Sequence, residues 1–217
     1  MPPSLFAQDH YDPYTMSIKN FLRNGNISTF VSIDHPPAPQ GLDYTNWLLF
    51  PSLLGGSYPF TQDIKKLNDL GFNYIIDLTQ APSQEPYFND RKTYADKTDD
   101  SKVNNYPNIT IKKFPIFDVS VPDNKKNTYE FCRDIYDLLI AGNKIYLHCI
   151  GGRGRTSIIA GVILYFYQFS YEEVLIWLNA SYMSRRNKGS LGEVKVPESP
   201  SQFIFLEDMY DNFFKKT

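Results

Sequence analysis

The sequence has few of the residues that build metal centres. Its 217 residues include three histidines, at positions 10, 35 and 148, and two cysteines, Cys132 and Cys149. No cluster of histidine and aspartate has the spacing of metal ligands. We therefore expect no metal and no cofactor.

Long hydrophobic runs and an excess of one charge are also missing. The first ten residues have no apolar segment typical of a signal peptide, and the longest apolar run, Ile158 to Tyr167, is far shorter than the ~20 residues that cross a bilayer. The net charge is −2, and lysine and arginine are scattered along the chain. We expect a soluble protein with no transmembrane segment and no affinity for nucleic acid.

The residues that suggest chemistry are concentrated between Lys144 and Thr156. Strand-forming residues at 144–147 lead into Cys149 and a glycine-rich turn, and residues 156–167 are apolar on nearly every face, which is typical of a buried helix. Backbone N–H groups of such a loop, together with the helix N-terminus, converge on one point and favour an anion there. An anion site at the end of a strand indicates an α/β fold with a central, mostly parallel sheet flanked by helices.

The loop residues have the properties that a phosphate site requires. Gly151, Gly152 and Gly154 tolerate the positive φ values that curl a short loop, and Arg155 can direct two N–H groups to two phosphate oxygens. The same dipoles stabilise a thiolate at Cys149, a nucleophile that would face the phosphorus atom. Because this thiolate must stay reduced, we expect an intracellular location, cytoplasmic or nuclear.

A family resemblance is carried by the run His148-Cys149-Ile150-Gly151-Gly152-Arg153-Gly154-Arg155-Thr156. It resembles the His-Cys-x5-Arg-Ser/Thr signature of the cysteine-based protein-tyrosine phosphatases, and the short loops are most similar to the dual-specificity branch. The resemblance covers about residues 45–214 and implies phosphomonoester hydrolysis through a phosphocysteine. It implies that the loop and its arginine bind the phosphate and that Thr156 stabilises the returning thiolate. Thr156 could instead simply serve the first helical turn.

The leaving oxygen needs a proton, and two acids are candidates to donate it. Asp118 and Asp123 lie between a strand predicted over 109–114 and a helix predicted over 124–141. The resemblance favours Asp118, which follows a Phe-Pro-x-x turn and stands 31 residues before Cys149. Asp123 has a structural interpretation, in which it caps or directly precedes the helix. An acid on this loop reaches the thiol if the 109–114 strand lies beside the cysteine strand.

The remaining histidine and cysteine each have two interpretations. His148 either braces the loop as a neutral ring or, when protonated, also stabilises the thiolate. Cys132 falls on the apolar face of the 124–141 helix, either as a core residue or as a redox partner of Cys149.

Two polar groups near the C-terminus are also open to two interpretations. Gln202 matches the second glutamine of a Gln-x-x-x-Gln motif that some family members place near the attacking water, but the first position is Glu198. A capping box with Ser199 explains Gln202 equally well. The basic group at 185–188 is either a solvated turn or an aid to binding an anionic substrate.

Local patterns predict the flanking elements and the domain limits. Two short strands are expected between 47 and 58, with the Gly55-Gly56 pair turning the chain, and further elements are expected at 61–70 (helix), 73–78 (strand) and after Ser170 (helix). Residues 1–40 are predicted to be an N-terminal extension with a short helix, residues 41–217 the phosphatase domain, and 79–108 a surface loop that either is solvated or helps select the substrate.

These features predict a dual-specificity protein phosphatase that acts on a phosphorylated protein. A phosphoinositide or an inositol phosphate is the alternative substrate, because Arg153 adds one cation to the loop, although Ile150 stands where such phosphatases often carry another. A second alternative is a non-catalytic module that binds phosphorylated residues. It is disfavoured because Cys149, Arg155 and Asp118 are all present.

Overall fold

A computed structural model describes residues 36–80, 108–188 and 195–215. Within these ranges the predicted α/β architecture is confirmed. The predicted N-terminal helix and most of the predicted 79–108 loop lie outside the described residues.

The sheet has five strands: β1 (Thr45–Leu49), β2 (Leu53–Gly56), β3 (Tyr74–Asp77), β4 (Thr110–Lys113) and β5 (Ile145–His148). Their order is β1-β2-β5-β3-β4. β1 is antiparallel to β2, and the other three pairs are parallel. The sheet is therefore mostly parallel, as predicted, and its central strand is the one that leads into Cys149.

Helices cover both faces of the sheet: α1 (Thr61–Asp69), α2 (Lys125–Ile140), α3 (Gly154–Phe166), α4 (Tyr171–Met183) and α5 (Pro200–Phe213). Side chains alternate between the faces of a strand, so Leu53 and Ile76 join the larger core with α2 to α5, whereas Leu54 and Ile75 pack with α1. Every residue of α3 from Gly154 to Tyr165 is buried, which confirms the predicted central helix.

The register of the strands determines where the loop after β5 lies. His148, the last residue of β5, is paired with Gly56 at the end of β2 and with Asp77 at the end of β3. The loop therefore begins at the carboxyl edge of three parallel strands, where α/β folds bind ligands. β3 separates β4 from β5, so the condition stated for the acid, that its strand lie directly beside the cysteine strand, is not met.

One of the local predictions is corrected. Gly55 and Gly56 do not turn the chain but lie inside β2, where a Cβ on Gly56 would collide with the hydroxyl of Tyr146. The turn before β2 is closed by the N–H of Ser52, which donates to the carbonyl of Leu49. The glycines are thus required by close packing rather than by backbone conformation.

A second local prediction concerns the start of α2. Its N-cap is Asn124, whose side-chain oxygen accepts a hydrogen bond of 2.9 Å from the N–H of Asn127. Asp123 is exposed and precedes the cap. Of the two structural interpretations of Asp123, capping the helix and preceding it, the second is therefore correct.

Candidate active site

Cys149 lies at the base of the loop between β5 and α3. Its side chain is buried, and the backbone N–H of Gly152 donates to its Sγ at 3.2 Å. α3 begins at Gly154, directly after Arg153 as its N-cap residue. The thiol thus lies beside a helix N-terminus and receives a hydrogen bond from the loop, an environment that stabilises negative charge.

The carbonyl groups of the loop point away from this site because each has a donor on the outside. Tyr58 donates its N–H to the carbonyl of Ile150 at 2.9 Å. Arg185 donates to the carbonyls of Gly151 at 3.0 Å and Gly152 at 2.7 Å. When the carbonyls of successive peptides point outward, their N–H groups point inward, which produces an anion-binding concavity.

Two of the three loop glycines are required for different reasons. Gly152 has a φ of +69°, and a Cβ there would collide with the carbonyl of Gly56. Gly154 has no positive φ, but a Cβ would lie 2.8 Å from the amide nitrogen of Gln202. Neither restriction applies to Gly151. The expectation that all three adopt positive φ is therefore correct only for Gly152.

Arg155 and Asp118 form an ion pair above the loop. Arg155 is almost completely buried, and its Nη2 lies 2.7 Å from Oδ1 of Asp118. Its Nη1 donates to the carbonyl of Ile116 at 3.1 Å, and the N–H of Ile116 donates to the carbonyl of Leu78, which follows β3. Asp118 thus reaches the cysteine loop across β3, whereas Asp123 is exposed at the far end of the same segment.

The segment that carries Asp118 is attached to the start of α5. Ser199 donates its hydroxyl to the carbonyl of Val119 at 3.2 Å, and Gln202 donates its amide N–H to the carbonyl of Ser120 at 3.0 Å. The side-chain oxygen of Gln202 accepts from the N–H groups of Glu198 and Ser199, which confirms the predicted capping box. Gln202 therefore joins α5 to the loop that carries Asp118.

The backbone of this segment is unusual at Val119. This β-branched residue has a φ of +58°, in the left-handed region that side chains of its shape rarely adopt. Such a conformation persists only when neighbouring contacts impose it. Here the hydrogen bonds from Ser199 and Gln202 hold the carbonyls of Val119 and Ser120, the two that follow the bend.

His148 is fully buried beneath the loop. Its Nδ1 is 3.3 Å from the carbonyl oxygen of Cys149, and its Nε2 is 4.0 Å from Oδ1 of Asp77. Burial lowers the pKa of the His148 ring, and the opposing effect of Asp77 is smaller. The geometry therefore favours the neutral, bracing interpretation of His148 over the protonated one.

Cys132 and Thr156 differ in their surroundings. Cys132 is buried in the core, its Sγ is 3.9 Å from the carbonyl oxygen of Ile159, and burial raises the pKa of its thiol well above the usual range. It therefore has the environment of an unreactive core cysteine.

The hydroxyl of Thr156 is buried and has no hydrogen-bond partner within the described part of the chain.

Sequence reasoning missed the role of Arg185. The basic group at 185–188 was expected to be a solvated turn or an aid to substrate binding, but Arg185 is 4% exposed. Besides its two bonds to the loop carbonyls, its Nε donates to Oδ1 of Asn46 at 2.6 Å, and the guanidinium stacks 4.3 Å from the ring centre of Tyr182. Its neighbour Arg186 is exposed and forms a surface ion pair with Asp43.

Within residues 36–80, 108–188 and 195–215, no group of three metal-binding side chains is close enough to hold an ion. In the same ranges no helix is long and apolar enough to cross a membrane. The remaining loop cation, Arg153, is paired with Glu198.

The fold and the loop can now be compared with known proteins. The structure matches that of kinase associated phosphatase carrying a serine in place of its catalytic-site cysteine, with a TM-score of 0.59 and 16% identity over 82% of this chain and 100% of that one. This likeness shows that the chain has the same fold as that phosphatase. Residues 52–167, just over half of the chain, match the family described as "Polymorphic toxin system, DSP-PTPase phosphatase". The chain belongs to this phosphatase family.

Two viral proteins show sequence similarity. "Putative tyrosine phosphatase 197R" of Invertebrate iridescent virus 6 is 31% identical over 115 residues, which are 51% of this chain and 38% of that protein. "Putative tyrosine phosphatase 067L" of Invertebrate iridescent virus 3 is 25% identical over 167 residues, which are 75% of this chain and 63% of that protein. This chain thus spans less than two thirds of the length of either relative.

We predict that Arg185→Lys weakens the binding of inorganic phosphate about tenfold, since a lysine cannot reach both loop carbonyls and Asn46 at once and leaves buried acceptors unsatisfied. Calorimetric titration measures the affinity, and thermal unfolding monitors the fold. Arg186→Lys is the matched control and should bind like the wild type. Equal affinities in all three proteins would contradict the bracing role.

We also predict that the ring of His148 titrates below pH 6.5, because burial lowers its pKa in the folded state. A group with a lowered folded-state pKa contributes stability that is fully present above its unfolded pKa, about 6.5, and is lost as the pH falls through the folded-state pKa. Histidine proton shifts in an NMR titration, with the signal assigned by His148→Asn, measure the midpoint. A midpoint above 6.5 would mean that Asp77 dominates and that the ring is charged.

Proposed function

We propose that this protein hydrolyses phosphomonoesters on phosphorylated proteins, at tyrosine and at serine or threonine, through a phosphocysteine on Cys149. The observation that carries the proposal is the position of the Cys149 thiol, which is buried at the base of the loop, accepts a hydrogen bond from the N–H of Gly152 and lies beside the N-terminus of α3. No other described cysteine has this environment, since Cys132 lies in the core.

In the proposed first step, the thiolate of Cys149 attacks phosphorus, so that an S–P bond forms while the bond to the leaving oxygen breaks. The loop N–H groups and Arg155 stabilise the charge on the equatorial oxygens. Asp118 donates its proton to the leaving oxygen. The product of this step is a phosphocysteine and a free alcohol or phenol.

In the proposed second step, the carboxylate of Asp118 accepts a proton from a water molecule that attacks phosphorus. An O–P bond forms, the S–P bond breaks, and phosphate leaves. The returning thiolate needs a donor, and the buried hydroxyl of Thr156, which has no partner among the described residues, is available to supply one. This supports the role that the family signature implies for Thr156.

In the ion pair between Arg155 and Asp118, the carboxylate occupies the guanidinium group that the substrate phosphate needs. A phosphate bound in the loop needs the Nη2 group that holds Asp118 at 2.7 Å. The incoming phosphate therefore displaces the carboxylate from Arg155, which frees Asp118 for its part in the first step. Substrate binding thereby prepares the acid for its reaction.

The proposed substrate class follows from the charges around the loop. Arg153, the cation that favours phosphoinositides or inositol phosphates as the alternative, is paired with Glu198. The charge available for a second phosphate is correspondingly reduced, which supports phosphoproteins as the first choice. A purely phosphate-binding role is disfavoured because nucleophile, acid and arginine are all present; turnover of a small aryl phosphate would distinguish the enzyme from the binder.

Cys149→Ser should abolish turnover of an aryl phosphate and retain the binding of inorganic phosphate, since the loop donors remain. Rapid quenching of the wild type followed by mass spectrometry should detect a phosphoryl group on the peptide that contains Cys149. Cys132→Ala is the control and should retain turnover. Near-wild-type activity of Cys149→Ser would remove this residue from the mechanism.

Asp118→Asn should lower kcat for phenyl or alkyl phosphates by about 10²- to 10⁴-fold, the usual contribution of a positioned acid. An ester with a very acidic leaving group should be affected much less, because its oxygen needs no proton. The basic limb of the pH–rate profile should vanish, and inorganic phosphate should bind more tightly because Arg155 has lost its competing carboxylate.

The control for this variant is Asp123→Asn, which changes an exposed carboxylate on the same segment. It should leave both leaving-group classes unaffected. If the leaving-group dependence appears in Asp123→Asn and not in Asp118→Asn, the acid is assigned to the wrong end of the segment.

A further inference from the structure

Arg153 is a cation of the loop and forms an ion pair with Glu198. This carboxylate has no part in the proposed catalytic steps. Its Nη2 pairs with Oε1 of Glu198, and the two side chains are 19% and 29% exposed. The carbonyl of Arg153 also accepts a hydrogen bond from the hydroxyl of Ser157, one turn into α3. The backbone at this position is therefore held at the helix N-terminus while the side chain is committed to Glu198.

Glu198 is held in place from both sides. Its backbone N–H donates to the amide oxygen of the buried Gln202 at 2.9 Å. Two residues earlier, Val196 exchanges hydrogen bonds of 2.7 and 3.2 Å with the side chain of Asn179 on α4. The carboxylate is thus presented by a fixed segment.

The carboxylate of Glu198 lies close to the phosphate loop. Its Oε2 is 3.0 Å from the position that a Cβ on Gly154 would occupy, at the first residue of α3. A negative charge at this place interacts favourably with the helix N-terminus and unfavourably with further negative charge near the bound phosphate. A substrate with a second phosphate would meet this charge and find Arg153 already paired.

We propose that Glu198 is a specificity-determining residue that neutralises Arg153 and disfavours substrates with a second phosphate near the scissile one. The inference rests on the proposed phosphatase function and deepens it. The second phosphate could belong to a neighbouring residue of a peptide or to an inositol ring, since both present the same group to Arg153.

The test is Glu198→Gln, which removes the charge and preserves the shape of the side chain. The value of kcat/KM is measured for two substrate pairs: a phosphotyrosine peptide with and without an adjacent phosphoserine, and a soluble inositol bisphosphate and monophosphate. The ratio of doubly to singly phosphorylated substrate should rise about tenfold, as expected when an arginine gains a charge-assisted contact with phosphate. The singly phosphorylated peptide should change by less than about twofold, since a part-exposed charge has a small effect at a distance.

Two further variants distinguish this role from a general effect of charge. Glu207→Gln, on the exposed side of α5, makes the same change in net charge and should leave the ratio unaltered. Arg153→Gln combined with Glu198→Gln should return the ratio to the wild-type value. A higher kcat/KM ratio of doubly to singly phosphorylated substrate in either pair supports the proposal. The pair in which the ratio rises identifies the source of the second phosphate. An unchanged ratio, or a rise that persists without Arg153, overturns it.

Failure of the phosphatase function would be recognised separately, because the wild type would then hydrolyse none of these monoesters. In that case the affinities of the same four ligands are compared in Cys149→Ser with and without Glu198→Gln. An increased preference for the doubly phosphorylated ligands supports the role of Glu198, and an unchanged preference overturns it.

Discussion

The hydrogen bonds that hold the loop carbonyls outward are the interactions on which the site depends. A free loop of this length could rotate each peptide so that an oxygen, instead of an N–H group, faces the thiol. Tyr58 and Arg185 prevent this by donating to the carbonyls of residues 150–152. Since a buried carbonyl without a donor costs about 1–3 kcal/mol, rotation of the peptide that carries the carbonyl of the buried Gly152 is opposed by that amount. The inward N–H groups are a consequence of these outer contacts.

The sheet and the central helix make this arrangement possible. β5 lies between β2 and β3, so the ends of both neighbouring strands reach the loop. Gly152 has no Cβ and can therefore approach the carbonyl of Gly56 at the end of β2, and Asp77 at the end of β3 lies beside His148. α3 is buried along nearly its whole length, which fixes the helix N-terminus relative to the strand ends.

Arg153 and Arg155 are each paired with a carboxylate. For Arg155 the pairing has an energetic reason. An almost fully buried guanidinium without a counter-charge would be strongly destabilising, so the ion pair with Asp118 stabilises Arg155 while no phosphate is bound. In the proposed mechanism this same carboxylate is the acid. Glu198 provides the equivalent charge for Arg153 but belongs to a different segment, before α5. The net charge around the loop is therefore determined by Asp118 and Glu198, which lie far from the loop in sequence.

The parts of the site that are set by local chain geometry could be predicted from the sequence. The strand, the loop and the buried helix are contiguous, so the convergence of Cys149, Gly152 and Arg155 follows from their spacing. The capping box at Ser199 and the helix after Ser170 were predicted for the same reason. The role of Arg185 was not predicted, because its partners Asn46 and Gly151 stand 139 and 34 residues away, and nothing in the basic group at 185–188 indicates burial.

By itself, the sequence determined the kind of site: a strand that ends in His148, a glycine-containing loop and a helix N-terminus are specified by local backbone preferences over a few residues. Only the tertiary structure decided which distant groups surround that loop. Asp118 reaches Arg155 across β3, Glu198 pairs with Arg153 from the start of α5, and Arg185 supports the loop from the end of α4. The physical reason is that such contacts arise from the burial of charge and from packing between distant segments, which leave no periodic or spacing signal in the chain.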